Sequence, residues 1–220
     1  MGYAMKLEEN VGAKGALVTA AVGEFSRKGF AGARVDEIAK EAGVNKQLVY
    51  HYFGSKQDLY EAALEKVYTE IRDRERTLSL DALEPREAME KLVGFSFDHL
   101  QKHPEFIALV ADENRHLGSH MKTSKRFHKM HSPLINMMGS TLERGVRKGV
   151  FRPNSDPIQV YISIAALSYF YFSNNHTLST IFSRSLRTRA ALAARRAHVI
   201  VFAMRALCIE PPLENGRPSC

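Results

Sequence analysis

Cysteine is scarce in this chain: two residues among 220, Cys208 and Cys220, both near its end. Two thiols so close in sequence provide no disulfide framework, and this usage fits a reducing compartment such as the cytoplasm. No group of Cys and His has the spacing of a zinc site, although His128 and His131 are three residues apart. Because no Glu or Cys completes a site around these histidines, we expect no metal and no other cofactor.

Long apolar runs are also missing. The longest, from Val160 to Phe172, is interrupted by Ser163 and Ser168 and is shorter than the roughly 20 residues that a membrane-spanning helix needs. The N-terminus has no apolar segment after a basic start, so we expect no secretory signal peptide. Hydrophobic residues still make up 45% of the sequence, which indicates a globular protein without membrane association.

The patterns that mark common enzyme active sites are absent as well. The sequence has no nucleophile elbow, no phosphate-binding glycine loop and no HExxH metalloprotease motif. Asp112 and Glu113 are adjacent, so on a helix their side chains point to different sides and cannot act as a catalytic pair. We therefore expect no catalytic activity, which leaves binding functions to consider.

The distribution of charge limits what can be concluded from the basic composition. A net charge of +7 suits a polyanionic partner. Residues 1–60, however, hold eight Lys and Arg against seven Asp and Glu, a net of +1. Residues 61–120 hold eight against thirteen, a net of −5, and residues 121–152 hold eight against one, a net of +7. Any DNA-binding claim for the N-terminal segment must therefore rest on the placement of its residues.

Hydrophobic periodicity predicts an all-α fold, because strand-like alternation is nearly absent. The polar stretch 79–85 is a candidate boundary between two parts of the chain, and Pro133 predicts a kink or break in a long helix. About nine helices are predicted, near residues 13–28, 35–42, 46–53, 56–76, 86–102, 104–117, 119–148, 156–174 and 190–208.

The segment 35–56 is typical of a helix-turn-helix, two short helices joined by a tight turn. Gly43 can adopt the positive φ that this turn needs, and Asn45 is placed to cap the second helix. Inward-facing residues are predicted to hold the helices together: Ile38, Ala39, Val44, Val49 and Phe53. The opposite face of the second helix, exposing Lys46, Gln47, Tyr50 and His51, can then enter the major groove of DNA.

Individual residues of this segment suggest different contacts with DNA. Lys46 and Lys56 are predicted to bind phosphates, because an ammonium group acts as a point charge on the backbone. Gln47 is the best candidate for reading a base, since its amide can pair bidentately with adenine. Tyr50 and Tyr52 could bind phosphates or contact thymine methyl groups, although one of the two could belong to the core instead. His51 could reach the DNA backbone.

At these residues the chain resembles the TetR family of tetracycline-repressor-like regulators, over about 50 residues. The resemblance lies in Phe25…Gly29-Phe30, Val35-x-x-Ile38-Ala39, Ala42-Gly43-Val44 and Val49-Tyr50-His51-Tyr52-Phe53-x-Ser55-Lys56-x-x-Leu59. It implies a three-helix DNA-binding head at residues 1–60 and an all-α bundle for ligand binding and dimerisation at residues 61–220. It further implies a bacterial cytoplasmic regulator that binds a palindromic operator in double-stranded DNA and is then associated with the nucleoid.

Two departures from the family pattern affect the predicted contacts. Arg34 occupies a position where the family commonly has Ser or Thr, which caps the helix and touches phosphate; Arg34 cannot cap in this way, but its charge could contact phosphate. Asn45-Lys46-Gln47-Leu48 replaces a Ser-x-Gly-Thr pattern, so the cap is kept and the reading face changes. The full predicted DNA-binding set is Arg34, Val35, Asn45, Lys46, Gln47, Leu48, Tyr50, His51, Tyr52 and Lys56.

The C-terminal half resembles the regulatory domain of one TetR subgroup through His103-Pro104-Glu105-Phe106 and Arg147-Lys148-Gly149-Val150-Phe151-Arg152. This resemblance implies a homodimer formed by the last two long helices, near residues 156–174 and 190–208. Apolar stripes along both helices agree with a four-helix interface, but the same stripes could form the core of a single protomer.

A candidate pocket for a small, largely apolar effector combines large adaptable side chains with a few polar groups. Its predicted members are Phe95, Phe106, Asn114, His116, Met130, Met137, Tyr169 and Phe170. The apolar members could equally be ordinary core residues. The resemblance thus implies a repressor that an effector releases from its operator, with a helical protein-interaction module lacking ligand response as the alternative.

Overall fold

The computed structural model describes residues 2–122 and 124–209, and side chains from residue 12 onward except residues 123, 125 and 128–132. This part of the chain contains α-helices and one 3-10 turn, Leu80–Ala82, and has no β-strand. The all-α prediction is confirmed. The helices are α1 Gly2–Gly32, α2 Val35–Glu41, α3 Lys46–Phe53, α4 Lys56–Arg76, α5 Pro85–Lys102, α6 Pro104–Arg115, α7 Lys125–Arg147, α8 Pro157–Ile181 and α9 Arg189–Leu207.

The helix boundaries agree with the sequence best where a local signal marks them. α3 and α4 begin and end at the predicted residues. The predicted start of α7 at Ser119 is wrong, because the chain passes through turns there; Leu117 and Gly118 have φ angles of 57° and 69°, which no α-helix accommodates. Pro133 lies inside α7 without interrupting it.

Contacts between Cα atoms divide the chain into two compact units. The head unit comprises residues 1–74 and 102–131, and therefore contains α1 to α4 together with α6. The body unit comprises residues 75–101 and 132–220, with α5, α8, α9 and most of α7. The functional boundary between residues 60 and 61 stays a prediction.

In the head unit, apolar residues spaced three or four apart along each helix meet in a common core. The core side chains come from α1 through α4 and are Leu17, Ala20, Ala21, Phe25, Ile38, Ala39, Val49, Leu59, Ala63 and Leu64, each no more than 5% exposed. The short helices α2 and α3 need this shared core, because helices of their length are not stable alone.

A buried carboxylate in α6 fastens the end of α1. Asp112 is 3% exposed, and its Oδ2 accepts hydrogen bonds from the Phe30 backbone N–H at 2.7 Å and from the Tyr60 hydroxyl at 2.9 Å. Its Oδ1 accepts a hydrogen bond from the Arg115 guanidinium at 2.6 Å. Phe30 directly follows Gly29, where α1 bends with φ 67° and ψ 175°. One side chain therefore ties α6 to α4 and to the bend that leads into α2.

A second buried acid-base pair lies beside this contact. Glu113 accepts the His120 backbone N–H at 2.9 Å and lies 2.7 Å from its ring Nδ1. The ring of His120 packs against those of Phe30 and Tyr60, with centroids 4.6 and 4.8 Å apart. The turn after α6 is thus anchored to the same aromatic cluster that Asp112 holds.

The body unit has its own core, which α5, α7, α8 and α9 share. Arg144 of α7 donates hydrogen bonds to the carbonyl oxygens of Leu80, Asp81 and Leu83 at 2.9–3.0 Å, and so satisfies the backbone of the 3-10 turn. The ring of Phe151 is fully buried and lies directly against the backbone of Gly145 in α7. Any side chain at residue 145 would occupy the space of this ring.

The contact at Gly145 predicts a large stability difference between two glycine substitutions in the same helix. Gly145→Ala should lower the free energy of unfolding by about 1–3 kcal/mol or more, because its methyl group overlaps Phe151. Gly139→Ala meets only Pro157 Cγ, at 3.4 Å, and should be neutral or slightly stabilising. Urea unfolding followed by circular dichroism compares the two; equal stability of both variants would contradict the packing described here.

The Asp112 network predicts a pH-dependent contribution to stability. Burial alone raises the pKa of Asp112, but the hydrogen bonds from Arg115, Phe30 and Tyr60 outweigh it, so the pKa lies below its ordinary value. A carboxyl with a lowered pKa stabilises the fold above the ordinary value of about 4, and this stabilisation is lost as the pH falls.

Asp112→Asn should therefore cost about 1–3 kcal/mol at pH 7, because the amide has no charge and replaces one of the two acceptor oxygens with a donor. The difference from wild type should shrink as the pH approaches about 3 in urea unfolding. The exposed Asp81→Asn is the matched control, expected to change stability by less than about 0.5 kcal/mol. A pH-independent difference for Asp112→Asn would contradict the assigned network.

Candidate nucleic-acid interface

The turn between α2 and α3 has the geometry that the sequence predicts. Gly43 has a φ of 68°, which a residue with a Cβ atom adopts only at a cost. The Val44 N–H then bonds the Ala39 carbonyl at 3.0 Å and closes the turn. Asn45 Oδ1 accepts the Gln47 N–H at 2.9 Å, so the predicted N-cap of α3 is confirmed. These local interactions define the turn that leads into α3.

The two faces of α3 differ sharply in exposure. Val49 is completely buried and holds the helix on the head core, with Phe53 half-buried one turn later. The side chains of Lys46, Gln47 and His51 are exposed, and Tyr50 is 48% exposed. These outward residues form one polar and aromatic face, which we call the reading face: Lys46, Gln47, Tyr50 and His51.

The remaining predicted residues of α2 and α3 are less exposed. Tyr52 is half-buried, with its ring 5.2 Å from that of His51, so it is the tyrosine of the pair that packs against the protein. Leu48 is half-buried as well. The side chain of Val35 is 8% exposed, which leaves only its backbone for contact with a partner. Side-chain contact with DNA thus falls mainly to the reading face.

The N-terminus of α4 holds Lys56 against α1. Ser55 Oγ accepts the Asp58 N–H at 3.1 Å, which caps α4. The Lys56 ammonium lies 5.0 Å from the centre of the Phe30 ring and 3.4 Å from the Ala31 carbonyl oxygen. Burial lowers the pKa of Lys56 from its ordinary value. Lys56 therefore links α4 to α1, and its contact with phosphate stays a prediction.

Arg34 immediately precedes α2 and makes no side-chain cap, as its chemistry implies. Its guanidinium instead forms two hydrogen bonds with Asp36, Nε to Oδ1 at 3.2 Å and Nη2 to Oδ2 at 2.8 Å. The hydrogen bond from Arg34 is the largest cause of a lowered pKa at Asp36. The sequence places Arg34 near DNA but gives no sign of this partner.

A buried glutamate that the sequence reading missed supports the start of α2. Glu24 of α1 is 2% exposed and accepts the backbone N–H of Arg34 at 3.4 Å. It also pairs with Lys28 at 2.8 Å and with Arg27 at 3.2 Å, and hydrogen bonds from these residues lower its pKa despite burial. Its spacing of three and four residues from two cations is the sequence signal that could have identified it.

The predicted effector residues are divided between the two units. In the head unit, Phe106 is buried with its ring 5.2 Å from that of Tyr68, and Asn114 is exposed and bonds the Val110 carbonyl of its own helix. His116 is half-buried with its ring 5.8 Å from that of Phe30, and the side chain of Met130 lies outside the described residues.

The body unit holds the other four members of the predicted pocket. Phe95, Met137 and Tyr169 are half-buried, whereas Phe170 is 56% exposed. None of the cavities described within either unit brings these residues together. The effector pocket therefore stays a prediction.

Two further sequence expectations concern membranes and metals. In residues 2–122 and 124–209, no helix combines the length and apolarity needed to cross a membrane. The described side chains include no group of three or more His, Cys, Asp or Glu arranged to hold a metal ion. The side chains of His128 and His131 are not among those that the structure describes.

Comparison with known proteins finds family matches for both halves of the chain. Residues 17–63 match the family model "Bacterial regulatory proteins, tetR family", and residues 85–202 match "Tetracyclin repressor-like, C-terminal domain". The transcriptional repressor NicS of Pseudomonas putida is 36% identical over 191 residues, which cover 87% of this chain and 90% of NicS. The repressor KstR2 of Mycobacterium tuberculosis is 26% identical over 148 residues, 67% of this chain and 74% of KstR2.

Solved structures show the same fold. The regulator SCO4942 of Streptomyces coelicolor superposes with a TM-score of 0.65 at 25% identity, covering 89% of this chain and 98% of SCO4942. The ketosteroid transcriptional regulator KstR2 of M. tuberculosis superposes with a TM-score of 0.63 at 22% identity, covering 90% and 95%. The chain therefore belongs to the TetR family and is a DNA-binding transcriptional regulator with a helix-turn-helix at α2 and α3.

Proposed function

We propose that this protein represses transcription as a homodimer on a palindromic operator and is released by a small, largely apolar effector. The observation that carries the proposal is the reading face of α3, capped by Asn45 and held on the head core by Val49. The expected location is the bacterial cytoplasm, with nucleoid association while the operator is bound.

The proposed contacts follow from the chemistry of the exposed groups. Lys46, the first residue of α3, offers a freely hydrated ammonium to a backbone phosphate. Gln47 is exposed next to it, and its amide can donate to and accept from an adenine edge in the major groove. Tyr50 and His51 extend the same face toward neighbouring phosphates or bases. Arg34 supplies a further cation beside the start of α2.

The proposed dimer interface lies on α8 and α9 of the body unit. These helices expose large apolar side chains that a soluble monomer rarely presents together, among them Ile158, Ile162, Phe170, Val201 and Phe202, each at least 50% exposed. A groove of 320 Å³ runs between the same helices and is lined by Val160, Ile164, Leu167, Phe202 and Ala203. Two copies of this face would form a four-helix interface about a twofold axis.

The proposed effector is a small, largely apolar molecule. The solved neighbour KstR2 is named a ketosteroid transcriptional regulator, and by analogy we propose an apolar molecule as the effector of the present chain. For the present chain, release by an apolar molecule requires that the molecule bind the DNA-free state more tightly than the DNA-bound state.

Lys46 and Gln47 should contribute to DNA binding in different ways. Lys46→Ala should weaken binding to every duplex and make the salt dependence shallower by roughly one counterion per head, whereas Gln47→Ala should mainly change the preferred sequence. Mobility-shift titrations at several salt concentrations measure both effects, with duplexes selected by the wild-type protein from a random pool. Lys148→Ala, which removes the same charge from the body unit, is the control and should bind like wild type.

Two results of these titrations would contradict the proposed function. If folded Lys46→Ala and Gln47→Ala proteins bind the selected duplexes as wild type does, α3 is not the reading helix. If no duplex is enriched and wild type shows no salt-dependent binding, the alternative of a helical interaction module gains support.

The dimer proposal predicts that a charge on α9 separates the protomers. Phe202→Glu should raise the dimer dissociation constant by roughly a hundredfold or more, because the twofold axis buries two unpaired carboxylates at once. Sedimentation equilibrium measures the shift. Leu117→Glu, which changes an 80% exposed apolar residue in the head unit, is the control and should leave the dimer intact. A monomeric wild type, or a Phe202→Glu protein that dimerises normally, would contradict the interface.

A further inference from the structure

The ion pair at the start of α2 interacts electrostatically with Lys46, the first residue of the reading face. Asp36 is the second residue of α2, and both of its oxygens accept hydrogen bonds from the Arg34 guanidinium, at 3.2 and 2.8 Å. The side chains of Arg34 and Asp36 are 67% and 43% exposed, so neither contributes to the head core. The pair therefore acts on the fold only locally, through the favourable position of an acidic residue in the first turn of α2.

Two further charged residues, Lys46 and Glu37, interact with this pair. Attraction from Lys46, at the start of α3, adds to the effect of Arg34 in lowering the pKa of Asp36. Glu37 is the next acidic residue and interacts electrostatically with Arg34 without a hydrogen bond to it. A single carboxylate thus lies close to two cations, Arg34 and Lys46, that the proposed function assigns to phosphates.

A phosphate and a carboxylate compete for the same edge of a guanidinium group. The planar fork of Arg34 makes its paired hydrogen bonds to one oxyanion at a time on that edge, and Asp36 occupies it in the free protein. A phosphate that binds this edge displaces Asp36, and a phosphate that binds the remaining N–H groups still approaches its negative charge. Exposed ion pairs are weak, so this competition reduces affinity without preventing binding.

We propose that Asp36 limits the DNA affinity of this protein by holding the guanidinium of Arg34 in an ion pair that competes with a backbone phosphate. The inference rests on the proposed function, because it assigns the phosphate contact to Arg34. It assigns a weakening of DNA binding to a residue that lies beside a proposed phosphate contact. An affinity held below its maximum allows an effector of moderate affinity to release the operator.

The test compares Asp36→Asn with wild type on a fluorescein-labelled duplex of about 30 base pairs and arbitrary sequence, by fluorescence anisotropy. Phosphate contacts act on any sequence, so an identified operator is not needed. Asp36→Asn should bind about three- to tenfold more tightly near 50 mM salt, with a steeper salt dependence by about one counterion per head. Glu37→Gln, the same charge change one residue away, should have a clearly smaller effect.

A double-mutant cycle shows whether Asp36 acts through Arg34. In an Arg34→Ala background, Asp36→Asn should improve binding no more than Glu37→Gln does, because the competed guanidinium is gone. Circular dichroism spectra and melting temperatures of all variants verify that the head remains folded.

Each other outcome overturns the inference in a distinguishable way. Weaker binding by folded Asp36→Asn would mean that Asp36 orients Arg34 toward phosphate. If Asp36→Asn and Glu37→Gln raise the DNA affinity equally, or if the increase persists without Arg34, the increase comes from the change in net charge and not from the ion pair. A folded wild-type protein that binds no duplex at low salt would refute the proposed function itself, whereas wild-type binding that Asp36→Asn leaves unchanged refutes only this inference.

Discussion

The hydrogen bonds that Asp112 accepts are the constraint on which the head unit depends. They join three helices at one buried carboxylate, through the Phe30 backbone, the Tyr60 hydroxyl and the Arg115 guanidinium. Phe30 follows the bend of α1, and α2 and α3 follow this bend in the chain. Because α3 is short, its orientation is set by what precedes and supports it, and α6 therefore belongs structurally to the helix-turn-helix although it is distant in sequence.

The electrostatic properties of the DNA-binding segment depend on where its charged residues lie and hardly on their net charge. The first 60 residues are nearly neutral. Some cations of this segment make contacts within the protein: Lys28 is paired with the buried Glu24, and Lys56 lies over the Phe30 ring. Lys46, by contrast, is exposed to solvent on α3. A near-neutral segment can therefore present a local positive face. Arg34 is intermediate, exposed to solvent but paired with Asp36.

The sequence was sufficient where structure depends on near neighbours. The bounds of α3 and α4, the Asn45 cap and the Gly43 turn were all predicted, because caps, positive φ angles and apolar spacing act within one or two turns of helix. The role of Asp112 could not be predicted, since its partner Phe30 is 82 residues away. The start of α7 was missed because the turn at Leu117 places a non-glycine residue at positive φ. A ligand pocket depends on how distant helices approach each other, which no local pattern encodes.

The central claim is that α3 of each protomer of a dimer lies in a major groove of DNA. Dimethyl sulfate footprinting tests it most directly, because the reagent methylates guanine N7 in the major groove and a bound helix blocks it. On a duplex selected by the protein, we predict two clusters of protected guanines, related by a twofold axis and separated by about one helical turn or a multiple of it. Full guanine reactivity on a bound duplex, or a single unpaired cluster, would contradict it.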